Sequence, residues 1–154
     1  MADHPDSHPI FVDRETIRLT KEGVFLSDGD EITHGKTVAA FHRFLDRDGE
    51  GYFIRIGGDF KRIEVEDTAR FVTGIAWKSE TEPVELTLAS GERENLDPST
   101  IAFRPGRLTC RVGAKREEAK FLRQAYLELL MHALADENGY TLRLGGKTIA
   151  LGKL

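Results

Sequence analysis

Hydrophobic and polar residues alternate on both sides of the dipeptide Gly57-Gly58. With these glycines as the loop of a β-hairpin, Ile56 faces Asp59 and Ile54 faces Lys61. One face is then apolar and carries Tyr52, Ile54, Ile56, Ile63 and Val65. The opposite face carries Phe53, Arg55, Phe60, Arg62, Glu64 and Glu66. Because two adjacent glycines accept the positive φ of a type I′ turn, residues 51–67 are predicted to form a two-residue hairpin with one buried face.

Two segments show the three- and four-residue spacing of an amphipathic helix. The first is predicted to run from a cap at Thr33 to about Leu45, and the second from Ala114 to Asp136, about six turns. The apolar face of the first carries Val38, Phe41, Phe44 and Leu45. After the second helix, residues 139–147 (GYTLRLGGK) align without a gap with residues 51–59 (GYFIRIGGD). The pattern indicates two helix-then-hairpin units, with convergence of unrelated hairpins as the competing explanation.

Further β-strands are predicted between residues 17 and 32 and at 71–78, 84–89, 101–103 and 108–112. The predicted fold class is α+β, with two similar helix-plus-β-hairpin motifs and mostly antiparallel, barrel-like sheets. The first motif spans residues 15–77 and the second spans 78–154. Residues 1–14, which include two prolines and three aspartates, are predicted to form a flexible N-terminal arm.

Composition narrows the classes of function. The formal net charge of −4 argues against an obligate nucleic-acid-binding protein, because such domains recruit phosphates through a surplus of basic residues. The first residues lack a basic segment followed by an apolar one, and the apolar stretch at 127–135 is interrupted by Glu128 and His132. Neither secretion nor membrane insertion is therefore predicted. The single cysteine, Cys110, is typical of a cytoplasmic protein.

The sequence shows no catalytic, cofactor or metal-binding signature. No pair among His34, His42 and His132 has the spacing of a helical zinc site, and the apolar strand around Cys110 is typical of a small core residue. Residues 46–51 (DRDGEG) lack the spaced ligands of a calcium loop and are interpreted as a helix stop with solvated charges. The N-terminal Ala2-Asp3-His4 offers ligands for Cu(II) or Ni(II) once Met1 is removed, although an accidental histidine in a mobile tail is the preferred interpretation.

The polar face of the first hairpin is the best candidate for a binding site. Arg55 lies opposite Phe60, and Phe53 lies opposite Arg62, so two guanidinium groups flank two aromatic rings. This arrangement suits a planar anionic ligand, which it would hold by bidentate hydrogen bonds and stacking. The competing interpretation is a solvated sheet face whose side chains pair with one another. The candidate ligand-binding residues are Arg55, Phe60, Arg62, Glu64 and, as the counterpart of Arg55 in the repeat, Arg143.

Short motifs distributed over residues 15–153 carry a family resemblance. They are Gly23-Val24-Phe25, Asp28-Gly29, Ile32, Phe41, Leu45, Gly51-Tyr52, Ile63-Glu64-Val65-Glu66-Asp67, Gly145-Gly146 and Leu151-Gly152. Together they resemble the bacterial family called domain of unknown function 1285. The resemblance implies a fold of two similar, interlocked α/β motifs, with ligand sensing or signalling as the suspected role.

Three functions are weighed for this sequence. The first is a non-enzymatic cytoplasmic module that binds a small anionic ligand or a protein partner. The second is a hydrolase-type enzyme that uses Asp67 or Glu64 with a histidine. The third is a structural or oligomerising protein that pairs through exposed hairpin edges, giving a homo-oligomer. Of the adjacent carboxylates Glu66 and Asp67, one is expected to cap a turn or to lie beside an arginine, and Asp67 falls on the nominal core face.

Overall fold

The computed structural model describes residues 11–12 and 14–153 and divides after Asp67 into two compact units. The boundary predicted after Trp77 differs from this division, because residues 70–76 form a strand that pairs only with strands of the second unit. Most of the predicted N-terminal arm lies outside the described residues. Within its described part, the Phe11 ring packs against the Phe41 ring, with 5.5 Å between their centroids.

The first unit contains, among its described residues, one helix and a six-stranded sheet. Helix α1 spans Gly35–Phe44. The strands are β1 (Ile17–Leu19), β2 (Phe25–Ser27), β3 (Asp30–Glu31), β4 (Leu45–Asp48), β5 (Gly51–Ile56) and β6 (Asp59–Val65). Their order is β3-β2-β1-β6-β5-β4, and only β1 and β6 pair in parallel. Two three-stranded meanders, one before α1 and one after it, are therefore joined through a central parallel pair.

The second unit contains a six-stranded sheet with the same pattern of pairing and, in addition, a smaller three-stranded sheet. Its strands over residues 68–153 are β7 (Arg70–Ala76), β8 (Glu85–Leu88), β9 (Arg93–Asn95), β10 (Ala102–Arg104), β11 (Arg107–Val112), β12 (Glu117–Phe121), β13 (Leu134–Asp136), β14 (Gly139–Leu144) and β15 (Lys147–Gly152). A 3₁₀ helix spans Pro98–Thr100 and helix α2 spans Arg123–Leu130. The larger sheet has the order β10-β11-β12-β7-β8-β9, with β7 and β12 parallel, and the smaller has the order β13-β14-β15.

The predicted α+β class with two similar halves is confirmed, and so is the mostly antiparallel pairing. The barrel-like closure is not observed, because each sheet is open, with end strands that pair on one side only within the described residues. The end strands of the two larger sheets have four residues or fewer. Such short strands leave little backbone with which a sheet could close on itself.

The central hairpin forms in the predicted register. Ile56 pairs with Asp59, Ile54 with Lys61 and Arg55 with Phe60. On the apolar face Ile54 is fully buried and Ile63 is buried. Of the two loop glycines only Gly57 has a positive φ (59°), so the loop fits a type II′ turn instead of the expected type I′.

The repeat predicted from the two hairpins is present in the structure. Gly51 and Gly139 begin β5 and β14 at positions 88 residues apart, and in each copy a helix and a short strand come before the hairpin. The same shift relates the core residues of the two copies: Phe41 to Leu129, Ile54 to Leu142, and Ile63 to Leu151, all of which are buried. The two copies therefore share a scaffold.

The single helix predicted over residues 114–136 is wrong, because this segment forms β12, α2 and β13. Ala119 and Phe121 alternate into the core of the second unit, and β12 pairs in parallel with β7. Glu117 on β12 accepts a 2.9 Å hydrogen bond from Arg70 on β7. This long-range pairing outweighs the local helical spacing.

The first helix ends as predicted, with Leu45 as its C-cap, but it differs from its prediction at the N-cap and in which residues it buries. His34, not Thr33, caps α1, and its Nδ1 accepts a hydrogen bond from the Thr37 N–H. Phe44 was expected on the apolar face but is 46% exposed, whereas His42 is buried against the Phe25 ring. The reason is that α1 ends at Phe44, and the chain turns there into β4, which buries Leu45 instead.

Candidate functional site

Four side chains form a two-by-two cluster on the outer face of β5 and β6. Arg55 pairs with Phe60 across the hairpin, and Phe53 pairs with Arg62. The two rings occupy one diagonal and stack, with centroids 5.1 Å apart and planes at 28°. The two arginines occupy the other diagonal, so a guanidinium group flanks the stacked rings on each side. We call Phe53, Arg55, Phe60 and Arg62 the aromatic–arginine cluster.

Both guanidinium groups lie over the rings. The Arg55 Cζ is 4.7 Å from the Phe60 centroid and 5.8 Å from the Phe53 centroid. The corresponding distances for Arg62 are 5.2 Å and 5.4 Å. Cations at this distance are attracted to the electron-rich faces of aromatic rings. The predicted grouping of the four residues is therefore present.

The two arginines differ in their polar partners, and Arg62 is held by acidic residues. Its Nη1 and Nη2 donate hydrogen bonds to the two carboxylate oxygens of Asp48, each of 2.7 Å, and Nη2 also lies 3.2 Å from Glu50. Nη1 donates a further bond of 3.1 Å to the Gly51 carbonyl. The hydrogen bonds from Arg62 are the main cause that lowers the pKa of Asp48 to about 2, followed by the Glu50 N–H. The same interaction raises the pKa of Arg62.

The turn between β4 and β5 positions these acidic groups. Asp48 ends β4, and its Oδ1 accepts a 2.9 Å hydrogen bond from the Glu50 N–H. Gly51 then continues the chain into β5 with a φ of 125°, which favours glycine. Residues 46–51, interpreted from sequence as a helix stop with solvated charges, are instead the end of a strand and its turn. Asp48 and Glu50 belong to the site and were missed for that reason.

Arg55 keeps its guanidinium available. Within the part of the chain that the structure describes, Arg55 has no ion pair and its guanidinium donates no hydrogen bond. The residue is exposed, and its contacts are with the faces of Phe60 and Phe53. Stacking of this kind leaves the in-plane N–H donors of the guanidinium free for a ligand.

Exposed apolar area adjoins Arg55. Phe60 is 39% exposed. Phe44, which is 46% exposed, directly precedes Leu45, whose partner across the β4–β5 ladder is Ile54. Phe44 is the last residue of α1 and therefore lies next to this end of the ladder. The sequence pattern placed Phe44 on the apolar face of the helix. Its position at the very end of the helix is the signal that would have predicted its exposure.

Glu64 lies on the same outer face, as predicted, two residues beyond Arg62. It is exposed, and no hydrogen bond or ion pair joins its side chain to another described residue. Its neighbour on β1 is Arg18, but Arg18 binds Glu66 at 2.8 Å. Glu66 also accepts a 2.6 Å hydrogen bond from the Lys21 N–H. The expectation that one of the two adjacent carboxylates caps a turn beside an arginine is therefore met by Glu66.

Arg143 occupies the position of Arg55 in the second hairpin but has different neighbours. Its partner across β14 and β15 is Thr148, and Thr141 stands where the first hairpin has Phe53. Its Nη1 lies 3.6 Å from Glu80, and both side chains are more than half exposed. Among the described residues no aromatic ring lies under Arg143 in the way that Phe60 lies under Arg55. The second hairpin thus keeps the arginine without the aromatic residues.

The remaining candidates for chemistry, Cys110, His132 and Asp67, lie in surroundings that suit a structural role. Cys110 is buried, as expected, and burial raises its pKa to about 12, with the charge of Glu94 as the next cause. His132 stacks on Trp77 with centroids 3.9 Å apart. Asp67, which was placed on the nominal core face, is exposed because β6 ends at Val65 and the alternation ends with it.

Metal and membrane features were also sought in the structure. Over residues 11–12 and 14–153 no group of three histidine, cysteine, aspartate or glutamate side chains is placed to hold a metal ion. Ala2-Asp3-His4 lies outside the described residues. Neither of the two described helices has the length and apolar character needed to cross a membrane.

Comparison with known proteins identifies the fold. No family model matches the sequence, and no curated protein matches it. A crystal structure of a DUF1285 family protein from Silicibacter pomeroyi superimposes with a TM-score of 0.66 at 17% identity, covering 90% of this chain and 80% of that one. A DUF1285 family protein from Shewanella baltica gives 0.59 at 14% identity, covering 78% of this chain and 94% of that one. The chain therefore has the DUF1285 fold, as the resemblance implied.

Proposed function

We propose that this protein is a non-enzymatic binding module that recognises an anionic group through Arg55. The observation that carries the proposal is the position of its guanidinium, over Phe60 at 4.7 Å and without an ionic partner among the described residues. Contact with the two rings restricts the Arg55 side chain, so less conformational entropy is lost when its donors engage a ligand. Arg62 holds the platform together, because Asp48 and Glu50 occupy its donors.

The repeat supports a functional role for the cluster. Both hairpins bury equivalent residues, such as Ile54 and Leu142, so these positions serve the scaffold. At the outer positions the second hairpin has Thr141, Thr148 and Ala150 in place of Phe53, Phe60 and Arg62. The scaffold therefore forms without the cluster, which favours a role in binding over a role in folding.

The proposed setting is the cytoplasm, with a regulatory or signalling role for this binding module. A single cysteine in the sequence is compatible with a reducing compartment. The hydrolase alternative stays a hypothesis; for Glu64, one of its two candidate carboxylates, the structure shows no histidine partner among the described residues. Oligomerisation through hairpin edges likewise stays a hypothesis.

Thermal unfolding against a panel of organic acids, nucleotides and phosphate esters tests the proposal. A ligand present at about 100 times its Kd stabilises a protein by about 2.7 kcal/mol, a rise of several degrees in Tm for a chain of this size. We expect the wild-type protein to show such a rise with at least one anion, and the Arg55→Ala variant to lose it.

The matched control is Arg143→Ala, which removes the equivalent arginine from the second hairpin. This variant should keep the full rise in Tm, because Arg143 lacks the aromatic neighbours of Arg55. An equal rise in the wild type and in Arg55→Ala would refute Arg55 as the anion contact. Loss of the rise in Arg143→Ala alone would move the site to the second hairpin.

A further inference from the structure

The charges around the aromatic–arginine cluster constrain the anion that it can bind. The Arg55 and Arg62 Cζ atoms lie 4.7 Å and 5.2 Å from the same Phe60 centroid, so they are within about 10 Å of one another. Asp48 and Glu50 pair with Arg62, and the exposed Glu64 adds a third carboxylate on this face. The surface therefore presents one unpaired cation beside several negative charges.

A group with one negative charge fits these surroundings better than one with two. A phosphate monoester carries a charge of about −1.5 to −2 at neutral pH. Arg62, the other cation of the cluster, is already paired with Asp48 and Glu50, so the second charge would find no free cation within the cluster. A carboxylate carries a single charge, and its two oxygens match the planar fork of a guanidinium.

The shape and apolar character of the face indicate where the carboxylate comes from. Arg55 and Phe60 are exposed on the outer face of an open sheet, and Phe44 is exposed at the end of α1, directly before β4. Small-molecule sites, in contrast, are usually concave and enclose most of the ligand. Exposed aromatic side chains around an arginine are typical of the energetic centre of a protein–protein interface. A partner that covers the two phenylalanines would also exclude water from the ion pair.

We infer that Arg55 binds the carboxylate of an aspartate or glutamate side chain on a protein partner, with an apolar side chain of that partner packed on Phe44 and Phe60. This inference rests on the proposed function and specifies the class of partner. The charge complementarity is between one guanidinium and one carboxylate, and the neighbouring acidic residues select against phosphates, nucleic acids and anionic membranes.

NMR titration of the ¹⁵N-labelled full chain tests the inference, with the Arg55 Nε–Hε signal as the readout. The probes are the capped peptide acetyl-Leu-Glu-Leu-amide, its Gln analogue, acetate and phenyl phosphate. We expect the Glu peptide to shift the Arg55 signal and to bind about tenfold more tightly than the Gln peptide, which cannot form the charge-assisted bonds. Acetate and phenyl phosphate should bind more weakly than the Glu peptide.

Two variants separate the charged contact from the apolar one. Arg55→Lys should weaken the Glu peptide severalfold, since it keeps the charge but loses the planar fork; in this variant the backbone amide signals of β5 and β6 report binding. Phe44→Ala should weaken the peptide severalfold and leave acetate unchanged, because Phe44 lies outside the aromatic–arginine cluster. Phe60→Ala should weaken both the peptide and acetate, because it removes the ring under Arg55. The backbone spectrum reports whether each variant is folded.

The remaining outcomes distinguish the two proposals. Tighter binding of phenyl phosphate than of the Glu peptide would overturn the carboxylate inference and leave anion binding at Arg55 intact. Equal affinities for acetate and the Glu peptide would overturn the protein partner as the source of the carboxylate. If no probe in this set or in the thermal panel moved the Arg55 signal, the proposed function itself would fail.

Discussion

Asp48 shows how one carboxylate links the turn, the strand and the candidate site. It accepts hydrogen bonds from Arg62 and from the Glu50 N–H, and these interactions lower its pKa from 3.8 to about 2. A carboxyl group with a lower pKa in the folded chain stabilises the fold above its unfolded pKa. That stabilisation is lost as the pH falls through the folded pKa.

We therefore expect the free energy of unfolding to decrease as the pH falls from about 4 to about 2, and to decrease less steeply in Asp48→Asn. Asparagine keeps an oxygen for the turn but cannot titrate. Part of the slope should persist, because the pKa of Asp97 is also lowered to about 2, first by Ser99 and then by Arg116. Urea unfolding at closely spaced pH values measures the slope.

The control for this prediction is Asp136→Asn in the second copy. Asp136 accepts a hydrogen bond from the Asn138 N–H, as Asp48 does from Glu50, but no arginine pairs with it among the described residues. Its removal should change the slope less than Asp48→Asn does. Parallel curves for the wild type and Asp48→Asn would show that the pair with Arg62 does not form in solution.

At the residue scale, the sequence predicted the neighbours across the hairpin but not the partners outside it. Arg55 and Phe60, and Phe53 and Arg62, follow from a register set by the two loop glycines and one apolar face. The pairing of Arg62 with Asp48 depends on a third strand, β4, in a segment whose charges suggested only the end of a helix. A contact between side chains on two strands cannot be predicted when one of those strands has itself not been predicted.

At the scale of elements, Glu66 joins the two meanders of the first unit. It follows β6, and its carboxylate binds Arg18 on β1 and the Lys21 N–H just beyond β1. Glu66→Ala should lower the free energy of unfolding by about 1–2 kcal/mol, because hydrogen bonds to a charged group are lost at the parallel β1–β6 junction. Glu64→Ala should change it by less than about 0.5 kcal/mol.

Chemical denaturation of the two variants provides the comparison. Glu64 and Glu66 are the same residue type near the end of the same strand, so their difference isolates the contacts with Arg18 and Lys21. Equal effects of the two substitutions would mean that the junction does not depend on Glu66.

Elements defined by local pattern were predicted correctly, and those defined by distant contacts were not. Both Gly-Gly hairpins follow from alternation over a few residues on each side of a turn. Strand β12 forms by pairing with β7, which lies far earlier in the chain: Arg70 on β7 and Glu117 on β12 are 47 residues apart. The buried Ala119 and Phe121 of β12 also fit part of a helical pattern. Local spacing does not contain the information that selects the strand.

At the scale of the whole molecule, one scaffold is used twice with different surfaces. The helix, short strand and hairpin recur after 88 residues with their buried positions preserved. The outer face differs, so the first hairpin has the aromatic–arginine cluster and the second has threonine and alanine around Arg143. A function that belongs to the cluster should therefore be transferable to the second hairpin.

A graft tests this transfer. The graft consists of Thr141→Phe, Thr148→Phe and Ala150→Arg. Together with the native Arg143 these changes reproduce the four positions of the cluster, because Thr141 pairs with Ala150 and Arg143 with Thr148. Glu80→Gln removes the charge that lies 3.6 Å from Arg143. With acetyl-Leu-Glu-Leu-amide as the probe, we expect the grafted protein to bind two peptides per chain and to show a shift of the Arg143 Nε–Hε signal.

The same graft with Arg143→Ala is the control and should return the stoichiometry to one. Only the first copy has an exposed phenylalanine, Phe44, at the end of its helix, and the corresponding position in the second copy is His132, which stacks on Trp77. A folded graft that bound one peptide would therefore show that the four clustered side chains are insufficient. Phe44 would then be the first of the remaining differences between the two copies to graft.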